Sequence, residues 1–102
     1  MTNIQQMIDG MYKGNTKLIE ECVSSDSHIL VLNSILAGTK IELMSKEFIN
    51  GIQVATENEG ILLGVPLKSV AKAALHLLGQ RSYDGDDRLI LMMIENGFGE
   101  FP

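Results

Sequence analysis

The sequence predicts an all-α domain, a compact bundle of five or six short helices around one core. Two observations carry this. Apolar residues recur three and four positions apart through most of the chain, the spacing of one helix face. With 45% hydrophobic residues and a mean hydropathy of +0.13, the composition also lies well outside that of charge-rich disordered chains. At 102 residues there is room for a single domain, residues 1–102, burying roughly 65% of the surface its unfolded form exposes.

Taken in order, Ile4, Met7, Ile8 and Met11 share one helical face and predict a first helix. Asn15 or Thr16 then caps a short helix with Leu18, Ile19, Cys22 and Val23 inward. Ser24, Ser25, Asp26 and Ser27 end it and cap the next, over 27–37, where Ile29, Leu30, Leu32, Ile35 and Leu36 recur before Gly38 supplies a left-handed stop. Over 40–56, Ile41, Met44, Phe48, Ile52 and Ala55 form a stripe, Glu42 and Lys46 pair four apart outside it, and Gly51 weakens the middle. The alternative for this region is α+β, with a small hairpin near 52–65 that pairs 52–56 with 61–65 around Glu57, Asn58, Glu59 and Gly60. Pro66 suits the first turn of a helix lined by Leu67, Val70, Ala71, Ala74 and Leu78 and ended by Gly79. The last helix starts at Asp86 or Asp87, whose carboxylates satisfy free N–H groups and suit the helix dipole, and ends at Gly97. Its residues 89–94 are apolar all round, which predicts a helix buried between neighbours. Phe98 and Phe101, in the tail, need a surface to dock on.

The formal charge of −5 disfavours contact with nucleic-acid phosphates and favours a basic protein partner. The longest apolar run is six residues, far short of the ~20 a membrane helix needs. The residues after Met1 lack the features of a secretory signal, so a cytoplasmic location is expected. Cys22 has no second cysteine to pair with, and its apolar flanks predict a buried structural thiol. The segment 84–95 begins Asp-x-Asp like a calcium loop, but Leu89 stands where the turn-forming glycine belongs and Arg88 precedes it. His28 and His76 have no carboxylate or cysteine at ligand spacing, no glycine run cradles a phosphate, and no serine sits in a nucleophile elbow. No catalytic residue, metal or cofactor is expected, and an enzyme would need an unrecognised mechanism. The six methionines fall mostly on apolar stripes and read as core filling rather than as an adaptable groove.

Charge is sorted along the chain. Residues 60–83 hold Lys68, Lys72 and Arg81 and no acid, so the outer face of the helix after Pro66 reads as weakly basic and solvated, with nothing to relieve the Lys68/Lys72 repulsion. On either side lie two acidic loops, Glu57 with Glu59, and Asp84, Asp86 and Asp87 beside Tyr83. Capping a helix takes one carboxylate, so the second loop has two to spare. Both are candidate contacts for Arg or Lys side chains of a partner.

The short helices, with ILVLNSILAG at 29–38, AKAALHLLGQ at 71–80 and the Asp-Asp-Arg-Leu start at 86–89, resemble helical-repeat units of the HEAT type over about residues 15–97. Small acidic proteins of this architecture resemble immunity proteins of bacterial contact-dependent growth inhibition and related toxin systems. That resemblance implies an antitoxin-type function, binding a cognate toxin domain and occluding its active site, and transfers no residue role. A nuclease toxin displays a cationic surface for its substrate, and the carboxylates at 57–59 and 84–87 would mimic the phosphates it binds. The competing expectation is a helical adaptor or homo-oligomer subunit using the 89–94 helix and the Phe98 and Phe101 tail. Salt separates the two, because exposed charge pairs are screened and apolar contacts are not. Changing Asp84, Asp86 and Asp87 to asparagine should weaken only the first.

Overall fold

A computed structural model describes residues 3–98. It is helical with a small hairpin: α1 (Ile4–Tyr12), α2 (Thr16–Cys22), α3 (His28–Lys40), α4 (Lys46–Ala55), β1 (Ile61–Leu62), β2 (Val65–Pro66), α5 (Leu67–Leu77) and α6 (Arg88–Asn96). The predicted helical class is the observed one. The hairpin is not the one weighed from sequence, since α4 runs through 52–55 and the antiparallel pairing instead sets Ile61 against Pro66 and Leu62 against Val65. Its turn, Leu63 and Gly64, has φ of 53° and 81°, the positive pair that a type I′ hairpin turn requires.

α3 is the hub, with nine of its 13 residues buried. A helix apolar on nearly every side belongs inside a bundle, and α1, α2 and α5 pack around it while α4 and α6 both pack on α5. Phe48, Met11, Ile19, Ile35, Ile52, Leu67, Val70 and Leu75 are almost fully removed from water. Each such side chain contributes about 1.5–3 kcal/mol by burial. Phe98 is buried with them, so its docking surface is this core, whereas Phe101 lies outside the described residues.

The helix starts follow their capping chemistry. Asn3 and Gln6 form a reciprocal capping box on α1, and the side chains of Asn15, Ser45 and Asp87 accept N–H groups of α2, α4 and α6. The ends of α1, α3 and α5 share one motif, in which a left-handed residue donates three back and the next residue donates five back. At α1 these are Gly14 to Met11 and Asn15 to Gly10, and at α5 Gly79 to His76 and Gln80 to Leu75. At α3 the bonds are Glu42 to Thr39 and Leu43 to Gly38, with Glu42 at φ 54° in the place where the other two ends have glycine.

Three expectations are corrected by this geometry. Gly38 does not stop its helix; it lies inside α3, where the Phe48 ring packs directly on its Cα. The helix expected over 40–56 begins only at Lys46, so Ile41 and Met44 are exposed and Glu42 and Lys46 are not a pair on one helix. Gly51, whose expected weakening of the helix is not tested by this geometry, lies inside α4 and is buried against Val23. Pro66 closes β2 and precedes α5 instead of occupying its first turn. A fourth concerns α6: only Ile90 and Met93 are buried in it, and Leu91 and Met92 are 44% and 54% exposed, because among the described elements α6 packs mainly on α5 and keeps an open side. Of the other methionines, Met11 is core, Met7 packs against the core and Met44 is exposed. Among the described residues no helix is long and apolar enough to cross a membrane.

Candidate functional site

The two acidic loops, distant in sequence, meet at one cleft. It holds about 430 Å³ and is lined by Thr56, Glu57 and Glu59 after α4, by Lys68, Lys72 and Leu75 on α5, and by Arg81, Ser82, Tyr83 and Asp84 in the α5–α6 connection. The local order of charge along the chain produces this. The acid-free stretch supplies Lys68, Lys72 and Arg81 to the lining, and the acidic loops that bracket it in sequence supply Glu57, Glu59 and Asp84.

Each wall is fixed by backbone bonds. After α4, the Asn58 side chain accepts the Gly60 N–H at 2.7 Å, and the Gly60 carbonyl accepts the Leu67 N–H at 2.9 Å, which ties this loop to the start of α5. Across the cleft, the Leu75 carbonyl accepts N–H groups from both Gln80 and Arg81, at 2.9 and 3.2 Å. His76 Nδ1 accepts the Tyr83 N–H at 3.0 Å, and the Tyr83 hydroxyl oxygen accepts the Asp87 N–H at 2.9 Å. Tyr83 thus braces the connection between α5 and α6, with its ring laid over Gly85. Leu75, 1% exposed, is the apolar floor.

The sequence-predicted contacts separate into two groups. Glu57, Glu59, Tyr83 and Asp84 line the cleft; Asp86 and Asp87 follow on the same loop without lining it. Asp87 is the helix cap, its Oδ1 accepting the N–H groups of Leu89 at 2.9 Å and Ile90 at 3.4 Å. Glu59 Oε2 lies 3.3 Å from Lys68 Nζ. This corrects the expectation that no acid relieves the Lys68/Lys72 repulsion, although a pair this exposed contributes well under ~1 kcal/mol. Among the described residues, the side chains of Glu57, Asp84 and Asp86 take part in no hydrogen bond or ion pair, a condition they share with Glu20, Glu21, Asp26, Glu42, Glu47 and Glu95; what sets them apart is their place on the two loops at the cleft.

Sequence reasoning missed that Lys72 and Arg81 belong to the same site. The signal was present as an acid-free stretch between two acidic loops, but one-dimensional order reads equally well as a solvated basic face. His28 is exposed at the start of α3. Among the described residues, no group of three or more His, Cys, Asp or Glu side chains is placed to hold a metal ion. No protein-family model, no curated protein and no solved structure matches this chain.

Proposed function

We propose that this chain is an immunity-type binding protein of the bacterial cytoplasm that neutralises a basic toxin domain, a nuclease, by stoichiometric occlusion of its active site. The observation that carries the reading is the convergence of the two acidic loops on one cleft, with Glu57, Asp84 and Asp86 free of any structural duty among the described residues. Unused carboxylates at helix ends cost the fold a little repulsion, and a partner bearing Arg or Lys side chains would relieve it. The net charge of −5 steers such a partner inward.

The test is a tagged pull-down from the native host at low salt and again at about 0.5 M, where exposed charge pairs are screened. One basic domain is expected at low salt and lost at high salt, and its activity should vanish at an equimolar ratio. Capture of an acidic partner, or a basic one left active, refutes the reading.

A second reading, a helical adaptor or oligomer subunit, is favoured by the open side of α6, where Leu91 and Met92 are exposed. Phe98 has no part in that surface because it is core. Recovery of the bait alone as an oligomer, insensitive to salt, would select this reading.

A further inference from the structure

The cleft carries a charge pattern that the net charge of the chain conceals. Six ionic side chains line it, three of each sign: Glu57, Glu59 and Asp84 against Lys68, Lys72 and Arg81. Only Lys68 and Glu59 have paired. Among the described residues, Lys72, Arg81, Glu57 and Asp84 form no ion pair, although they share one cavity. Their backbone is fixed, Arg81 through its own N–H to Leu75 and the Glu57 loop to α5 through Gly60, while the four side chains are exposed.

A ligand entering the cleft displaces the water that now solvates these four groups. A uniformly basic group would satisfy Glu57 and Asp84 but leave Lys72 and Arg81 desolvated beside like charge, and an anion would do the reverse. These four side chains are exposed, so each single pairing is modest, but a like charge brought against any of them repels while an opposite one attracts. Only a ligand carrying both signs satisfies the whole site. The volume of about 430 Å³ lies in the range of sites for short segments and small molecules, roughly 300–1,000 Å³. The Ser82 and Tyr83 hydroxyl protons are uncommitted among the described residues.

We propose that the cleft seats a short mixed-charge peptide segment of the partner, with a carboxylate side chain between Lys72 and Arg81 and a basic side chain against Glu57 and Asp84. This rests on the reading of the cleft as a partner contact, and adds that the docking segment is zwitterionic rather than uniformly basic.

The test is an amide-resolved NMR titration of the full chain with blocked tripeptides of sequence Lys-Gly-Glu, Glu-Gly-Lys, Lys-Gly-Lys and Glu-Gly-Glu. One of the mixed-charge peptides should shift the amides of Glu57, Lys72, Arg81, Ser82 and Asp84 saturably, with a Kd about tenfold below either single-sign peptide. The double variants Lys72→Ala/Arg81→Ala and Glu57→Gln/Asp84→Asn should each remove that advantage while the rest of the spectrum is unchanged. Equal or tighter binding of Lys-Gly-Lys would overturn the inference and leave the basic-partner reading standing. No response at the cleft to either mixed peptide up to about 20 mM, a range in which even millimolar affinities register, would overturn the site itself, and the pull-down would then judge the partner reading alone.

Discussion

Replacing Gly38 with alanine sets two effects of known size against each other. In a helix interior, alanine is favoured over glycine by about 1 kcal/mol. At Gly38, however, the new Cβ would lie 2.6 and 2.8 Å from Cε1 and Cε2 of Phe48, and nearer still to its Cζ. Phe48 is 0% exposed and has no free space to retreat into. Overpacking of this kind typically costs 1–3 kcal/mol, so with three ring atoms in conflict the upper part of that range applies, and the net loss should be about 1–2 kcal/mol. For a domain of this size that is a fall in Tm of roughly 4–10 °C. The assay is a double-mutant cycle with Phe48→Leu, followed by urea unfolding. Phe48→Leu alone should destabilise the fold, and in its background Gly38→Ala should become neutral or stabilising, giving a coupling of about 1–3 kcal/mol. A rise in stability for Gly38→Ala alone would refute the reasoning, because it would mean that the ring yields at no cost. The contact matters to the site, since it sets the approach of α4 to α3 and α4 delivers Glu57 and Glu59 to the cleft.

Glu42→Gly should raise stability by about 0.5–1 kcal/mol, measured by urea unfolding, because a non-glycine residue in the left-handed region is strained and glycine fills the same position at the ends of α1 and α5. Asp87→Ala should cost about 1 kcal/mol through loss of the α6 cap, whereas Asp84→Asn and Asp86→Asn should stay within about 0.5 kcal/mol of the parent; equal losses would mean that all three carboxylates are structural. Burial pushes the Cys22 thiol up, and the Glu21 carboxylate adds to it. The folded chain therefore holds this proton more tightly than the unfolded one, so the contribution to stability is complete below the unfolded thiol pKa of about 8.5 and falls as pH rises above it. Tyr12, raised by burial, adds a later decline above about pH 10. Denaturation series from pH 7 upward should show Cys22→Ala lacking the first decline; an identical slope in both proteins would contradict this.

Much of the fold was legible because local chemistry and tertiary packing agree at most helix boundaries. Asn15, Asp87, Gly79 and Gly97 stand where capping rules place them. The failures fall where tertiary packing outweighs local preference. Gly38 looked like a stop but serves a ring on a neighbouring helix, and the true stop, Glu42, carries no glycine signal, so 41–45 read as helix. The apolar run in α6 predicted burial on all sides, yet among the described elements α5 is its main neighbour and one side stays open. At the site, the acidic loops were visible as surplus charge. That they share a cleft with Lys72 and Arg81 was not, because it depends on how the turns at 56–60 and 78–87 bring both loops to α5.

The central claim is that the unpaired carboxylates of the two loops at the cleft, Glu57, Asp84 and Asp86, contact the partner. The direct measurement is the affinity of the triple variant Glu57→Gln/Asp84→Asn/Asp86→Asn for the captured basic domain, by calorimetry at low and high salt, beside its thermal unfolding. Three exposed charge pairs at 0.2–1 kcal/mol each predict about a tenfold loss of affinity and a flatter salt dependence, with Tm unchanged. Undiminished affinity at an unchanged salt slope would contradict the account, and a lowered Tm would show that these side chains belong to the fold after all.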